Sequence, residues 1–231
     1  MRIITVLFIA AILSSSTTTV KAAEDLSGPE KRVLQQLKKE AGATFAIQWH
    51  PSTNTPSLIT GDLSEPSKYP PEWIAYKFLN QTKALYGLRI PKINMQIIEM
   101  NETPDHLVQV RFQHVLYKTA VWGDELVIQM NQQGVINRVE GKLSPHLEEK
   151  TFNRPMYAAI SKQKAIAIAL TASQAGGTQD EAPKVDMYYH PSIAGTPLIY
   201  VVSLKNNNFE QSHQKVLIHS LSGRVIEQRN S

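Results

Sequence analysis

The residue types that most often carry catalysis are scattered through this sequence. It contains seven histidines and no cysteine. A His-Glu-x-x-His motif is absent and no two histidines lie four apart on a predicted helix, so the zinc-peptidase geometry cannot form locally. The lack of cysteine excludes thiolate zinc sites, disulfides and cysteine nucleophiles. With no nucleophile elbow or phosphate-binding glycine loop either, the sequence predicts no enzyme and no catalytic, metal-binding or cofactor-binding residues.

Adjacent carboxylates occur twice, at Asp124-Glu125 and at Glu148-Glu149. Neighbouring residues on a strand point to opposite faces of the sheet, so Asp124 and Glu125 cannot act together on one substrate. Solvation is the role that this spacing predicts for both pairs.

Trp122 and Gly123 lie in the stretch Ala120-Val121-Trp122-Gly123, which predicts a turn between two strands. Two roles are open for the indole ring. It is either a buried ring that caps the sheet or an exposed aromatic group that contacts a partner. Gly123 would act through the shape of the backbone.

Three helices are predicted to position these residues. Each has a capping or proline signal at its start and a glycine at its end, and they run over residues 27–42, 70–87 and 161–177. The helix that ends at Gly87 is the natural cover for the sheet that follows it in sequence.

The remaining mature chain alternates apolar and polar residues with the period of two that is typical of half-buried strands. The predicted strands cover residues 44–49, 57–61, 93–97, 108–116, 126–130, 135–143, 185–189, 197–204, 214–219 and 224–228. Apolar periodicity lapses between Ser144 and Pro155, which predicts a linker. Each side of this linker begins with a helix and continues with an antiparallel sheet, so the fold class is predicted to be α+β, in two small units.

The N-terminus resembles a secretory signal. Two residues that include Arg2 precede an eleven-residue run from Ile3 to Leu13, which only Thr5 interrupts. That run is shorter than the about 20 apolar residues that a spanning helix needs. We predict a signal peptide over residues 1–22, with the mature chain starting at Ala23 or Glu24 and no membrane anchor in it.

Removal of this segment leaves 22 basic and 20 acidic residues, a net charge of +2. A weak, scattered positive charge does not favour nucleic acid as a partner. The expected location is secreted or otherwise extracytoplasmic.

Several blocks of this chain resemble a known pair of domains. The first blocks are Arg111-Phe112-Gln113, residues 121–128, residues 131–135 and Val139-Glu140-Gly141. They are similar to the fungalysin/thermolysin propeptide (FTP) domain of secreted zinc proteases. The later blocks are similar to the PepSY domain that follows it in those propeptides, and they are residues 160–170, 198–202 and 222–226. The chain departs from the family pattern ahead of Gly123, where Leu116, Lys118 and Ala120 replace Tyr, Gly and Pro. This departure changes the turn chemistry that is expected there.

After the signal peptide predicted over 1–22, the resemblance implies an FTP-like domain over 23–144, a linker over 145–155 and a PepSY-like domain over 156–231, with cystatin-like units. It implies a free-standing, non-catalytic propeptide without cofactors that inhibits a thermolysin-like metalloprotease, or assists its folding, in trans. Trp122 and Gly123 are then candidate partner-binding residues. Two alternatives are an extracytoplasmic PepSY binding module with no inhibitory role and a remnant of a longer zymogen.

Overall fold

The computed structural model describes residues 26–173, 182–206 and 212–230. These residues form a mixed α+β fold with a mostly antiparallel sheet and few helices. The helices are α1 (Gly28–Ala41), α2 (Pro71–Tyr86), α3 (Pro91–Asn94), α4 (Leu147–Lys150) and α5 (Lys162–Ala172). The strands are β1 (Ala46–Trp49), β2 (Pro56–Thr60), β3 (Met95–Glu102), β4 (Val108–Leu116), β5 (Thr119–Met130), β6 (Ile136–Lys142), β7 (Lys184–Tyr189), β8 (Leu198–Asn206), β9 (Ser212–His219) and β10 (Val225–Asn230).

The helix ends follow the signals in the sequence. At α1 the Ser27 hydroxyl accepts from the Glu30 amide while the Glu30 carboxylate accepts from the Ser27 amide, which is a capping box. Helix α2 begins at a proline and ends at Gly87, whose left-handed backbone closes its last turn. Ser161 caps α5 by accepting from the Lys164 amide. The predicted end of this third helix, at 176–177, lies outside the described residues.

The first sheet has the order β1-β2-β6-β5-β4-β3, and every pair in it is antiparallel. One face carries apolar side chains such as Phe112, Leu126 and Val139, which are fully buried. Helix α2 covers this face with Phe78 and Leu79, as the sequence predicted. The opposite face is polar and half-exposed. There the Arg111 guanidinium pairs with Glu99 and Glu125, with both N···O distances at 3.1 Å.

The second sheet has the order β7-β8-β9-β10 and is also antiparallel. Its inner face packs against α5 through Ala165 and Ala169, which are fully buried against Tyr200, Val202 and Ile218. Small residues on α5 let the helix backbone lie close to the strands. The sheet is thus covered by a single helix among the described residues.

Strand β5 joins the two sheets, because Val121 also pairs with Tyr189 of β7 in a parallel bridge. Apolar side chains from both sides meet at this point and form one buried group, which we call the junction cluster: Leu116, Val121, Leu147, Tyr189 and Leu198. The region predicted as a linker contributes to this group. Residues 145–155 contain helix α4, and Leu147 at its start is fully buried.

Candidate functional site

Trp122 lies within strand β5, so the prediction that it stands at a turn is wrong. The β4–β5 turn is formed instead by Tyr117 and Lys118, whose φ angles are 49° and 68°. Two successive residues with positive φ give the backbone of a two-residue hairpin turn that matches the twist of its strands. The turn therefore forms here without the glycine and proline of the family pattern.

The indole ring of Trp122 is half-buried on the outer face of the second sheet. It meets the Tyr188 ring edge to face, with the ring centroids 5.1 Å apart. Below it lie the buried side chains of Ile199, Val201 and Leu217. The ring thus covers this face of the sheet and retains a solvent-accessible part, and its contact with a partner stays a prediction.

Two cations flank this ring. The Lys215 Nζ atom lies 5.9 Å and the Arg229 guanidinium carbon 6.0 Å from its centroid, within the range of cation–π attraction. Arg229 also pairs with Glu227, with Nη2 and Oε2 3.0 Å apart. Burial, with a smaller contribution from the Asp186 carboxylate, raises the pKa of the Tyr188 hydroxyl above 10. The site therefore offers an aromatic surface with the Lys215 ammonium and the Arg229–Glu227 ion pair beside it.

Gly123 is exposed and has a φ of 74°, with nothing within 4 Å of where a Cβ would lie. It lies where β5 bulges away from β4, between the register pairs Gln113↔Glu125 and Val115↔Ala120. The Gln113 side-chain amide lies 2.9–3.0 Å from the carbonyl oxygens of His114, Val121 and Asp124. This amide satisfies carbonyls that the bulge removes from the ladder.

Asp124 is fully buried, which contradicts the predicted role in solvation. Its Oδ2 atom accepts from the Ser144 amide at 2.6 Å and lies 3.0 Å from His114 Nδ1, while its Oδ1 accepts from the Ser144 hydroxyl at 3.0 Å. Glu125, the next residue, reaches the polar face and pairs with Arg111. One buried carboxylate therefore fastens β4, β5 and the chain after β6 together.

Aspartate, histidine and serine together invite comparison with a hydrolytic triad, but their connectivity differs. A catalytic serine needs a hydrogen bond to the imidazole, which takes its proton. Here the Ser144 hydroxyl donates to Asp124 instead, and all three side chains are buried away from any substrate. This cluster is therefore structural. In the described part of the chain, no group of three or more His, Asp or Glu side chains could hold a metal ion.

The edges of the first sheet remain open within the described residues. Strand β3 pairs with β4 on one side only, and it exposes about half of the Ile98 and Met100 side chains. An unpaired edge offers backbone groups that can hydrogen-bond an extended segment of another protein.

Comparison with known proteins gives a sequence relationship to a protease. The chain is 26% identical over 190 residues to Bacillolysin of Bacillus cereus, an alignment that covers 80% of this chain. The chain spans about a third of the length of that relative, 33%. No family model matches the chain. The C-terminal domain of Bacillus megaterium YpeB aligns over 87% of this chain and 95% of that domain, at 11% identity and a TM-score of 0.36.

Proposed function

We propose that this protein is a non-catalytic, propeptide-like protein that binds a thermolysin-like zinc metalloprotease. The similarity to Bacillolysin, a thermolysin-like protease, carries this proposal, because it extends over most of this chain but only a third of that protein. We propose that the third of Bacillolysin that aligns with this chain is its propeptide. The similarity of residues 111–141 to the FTP blocks supports this choice. Binding would inhibit the protease or assist its folding in trans.

The proposed organisation has two cystatin-like units, the FTP-like domain at 23–144 and the PepSY-like domain at 156–231, joined by residues 145–155. Helix α2 on the first sheet and α5 on the second are consistent with this division. We also propose that residues 1–22 direct export and are removed, although they lie outside the described residues. In the described part of the chain, no helix is both long and apolar enough to cross a membrane.

The proposed contact surface includes Trp122 and Gly123. The half-exposed indole, with Lys215 and Arg229 beside it, offers both apolar area and positive charge. The glycine next to it lets a partner backbone approach closely, since no side chain projects there. An aromatic group of this kind often contributes much of the affinity of an interface.

Binding of residues 23–231 to purified mature bacillolysin tests the proposal. We expect micromolar or tighter binding, slower hydrolysis of a peptide substrate, and no hydrolysis by this protein alone. Refolding of denatured protease with and without the chain would separate folding assistance from inhibition. If the chain neither inhibits the protease nor assists its folding at micromolar concentration, the proposal is overturned and the binding-module alternative is favoured.

Trp122→Ala, with Trp73→Ala as a matched control on α2, tests the proposed contact. Trp73 is 45% exposed and stacks on Tyr69, so its removal changes a different surface. If Trp122 contacts the protease, its truncation should weaken binding by about thirtyfold, a typical effect at an interface aromatic. If a lower Tm accounts for all of the weaker binding of Trp122→Ala, Trp122 stabilises the fold and does not contact the protease.

A further inference from the structure

Phe152 occupies a position that the fold itself does not favour for a bulky residue. Its side chain is 82% exposed, so it gains little from burial. Its φ is 53°, in the left-handed region that suits glycine or asparagine and is rare for large side chains. Asn153 follows with a φ of 54° and is a residue type that tolerates this conformation. Both the backbone and the solvent therefore disfavour phenylalanine here.

The turn that presents Phe152 is held by successive backbone hydrogen bonds. The amides of Phe152, Asn153 and Arg154 donate to the carbonyls of Glu149, Glu148 and Thr151 at 3.0, 2.8 and 3.1 Å. Beneath the turn, buried Thr151 lies 3.0 Å from the Tyr117 hydroxyl, oxygen to oxygen. The position of Phe152 is thus fixed before any partner arrives.

The chain is anchored again a few residues later. The Met156 amide donates to the Tyr189 hydroxyl at 3.0 Å, and the Met156 side chain packs against the junction cluster. Pro155 restricts Arg154 before it to extended backbone. Residues 152–155 are all exposed, and Tyr157 beyond them is 79% exposed. Residues 152–155 therefore form an exposed segment between two fixed ends, Thr151 and Met156, which we call the presented segment.

We infer that the presented segment docks on the protease and that Phe152 inserts into an apolar pocket of its active-site cleft. This inference rests on the proposed function and adds a second contact to the one proposed at Trp122 and Gly123. A segment fixed at both ends loses little conformational entropy on binding, and a rigid aromatic ring fills an apolar pocket efficiently. Burial of the ring in the complex offsets the free-energy cost of placing phenylalanine in this turn, which no contact among the described residues of the free protein offsets.

The test compares the dissociation constants of wild type, Phe152→Asn and Leu221→Asn for mature bacillolysin, together with their Tm values. Leu221 is a matched control because it is also an exposed apolar residue, 52%, in a turn of the second sheet. Phe152→Asn should weaken binding by about thirtyfold. Its Tm should not fall, because asparagine tolerates the left-handed backbone. Leu221→Asn should bind like wild type.

Two further measurements make the result decisive. Phe152→Tyr keeps the ring and should retain most of the affinity even if both variants shift the Tm. A small active-site inhibitor of the protease should compete with wild-type protein, because both occupy the cleft. Equal affinity of Phe152→Asn and wild type, or binding without competition, would overturn this inference and leave the proposed function intact. No binding by wild type would overturn both.

Discussion

Asp124 and Glu125 are neighbours in the sequence with opposite environments in the fold. Strand alternation predicts that they point to different faces. It does not predict which face is buried, or that Asp124 contacts His114 and Ser144 there. Ser144 follows β6, twenty residues after Asp124, so the partnership is not local. Buried polar clusters of this kind depend on tertiary contacts that a sequence pattern does not encode.

Asp124→Asn should lower the free energy of unfolding by roughly 2 kcal/mol or more, because hydrogen bonds to a buried charged group are lost and their partners are left unsatisfied. Glu125→Gln is the matched control. Its side chain is 43% exposed in its ion pair with Arg111, so the change should be within about 0.5 kcal/mol. Urea unfolding at neutral pH measures both. Equal effects of the two substitutions would contradict the structural role of Asp124.

Trp122 shows why part of the candidate site was misplaced from sequence. Gly123 next to it suggested a turn, whereas the actual turn uses Tyr117 and Lys118, residue types that seldom adopt positive φ. The glycine instead serves a bulge inside β5. Phe152 escaped the sequence reasoning altogether because a single aromatic residue in a predicted linker has no periodicity to mark it.

At the scale of elements, regular alternation and capping signals located the three long helices and ten strands of the described residues. The one-turn helices α3 and α4 were missed, because four residues are too few to show a helical period. The parallel bridge between Val121 and Tyr189 was missed for a different reason. It joins residues far apart in the sequence, and neither strand pattern indicates its second neighbour.

Strand β6 depends on Gly141, and parallel substitution of Gly141 and Gly123 by alanine tests this dependence. A Cβ on Gly141 would collide with the Glu125 carbonyl of β5, and its φ is 141°. A Cβ on Gly123 would meet nothing within 4 Å, although its φ is also positive. Gly141→Ala should therefore cost about 3 kcal/mol of stability and Gly123→Ala about 1 kcal/mol. Chemical denaturation would measure both, and a smaller loss for Gly141→Ala would contradict the close approach.

His190, just after β7, should make stability fall with decreasing pH. Burial lowers its pKa below the usual 6.5, with Glu227 and Arg229 of β10 and Lys142 of β6 as the charges that act on it. Its Nδ1 atom is buried with no hydrogen-bond partner among the described residues. The unfolded chain therefore takes up this proton first, so stability declines below about pH 6.5 until the folded protein is protonated too.

Unfolding free energies from pH 7.5 to 5 test this expectation. His190→Gln should show a shallower decline than wild type. A decline that is identical in wild type and His190→Gln would show that this histidine does not contribute to it.

At the scale of the whole molecule, the two sheets meet at the junction cluster, and this predicts how the protein responds to a protease. Chymotrypsin should cut first beside Phe152 or Tyr157, the most exposed aromatic side chains of the described chain. The predicted linker as a whole should not be equally sensitive, because Leu147 is buried within it.

The two fragments should nevertheless elute together on native gel filtration, since Val121 and Tyr189 remain packed across the cut. They should separate only in denaturant. Mass spectrometry of the first fragments identifies the site. An initial cut within β4, or fragments that part in buffer, would contradict this account of the molecule.

The junction cluster also sets a timetable for synthesis. Leu116, Val121 and Leu147 leave the ribosome first, and Leu198, which helps to cover them, is added 51 residues after Leu147. At a translation rate of roughly 5–20 residues per second, Leu147 waits about 3 to 10 s for Leu198, and Leu116 and Val121, which are made earlier, wait longer. During this interval the nascent chain exposes an apolar patch, so a chaperone that binds such patches can bind it before β8 is synthesised.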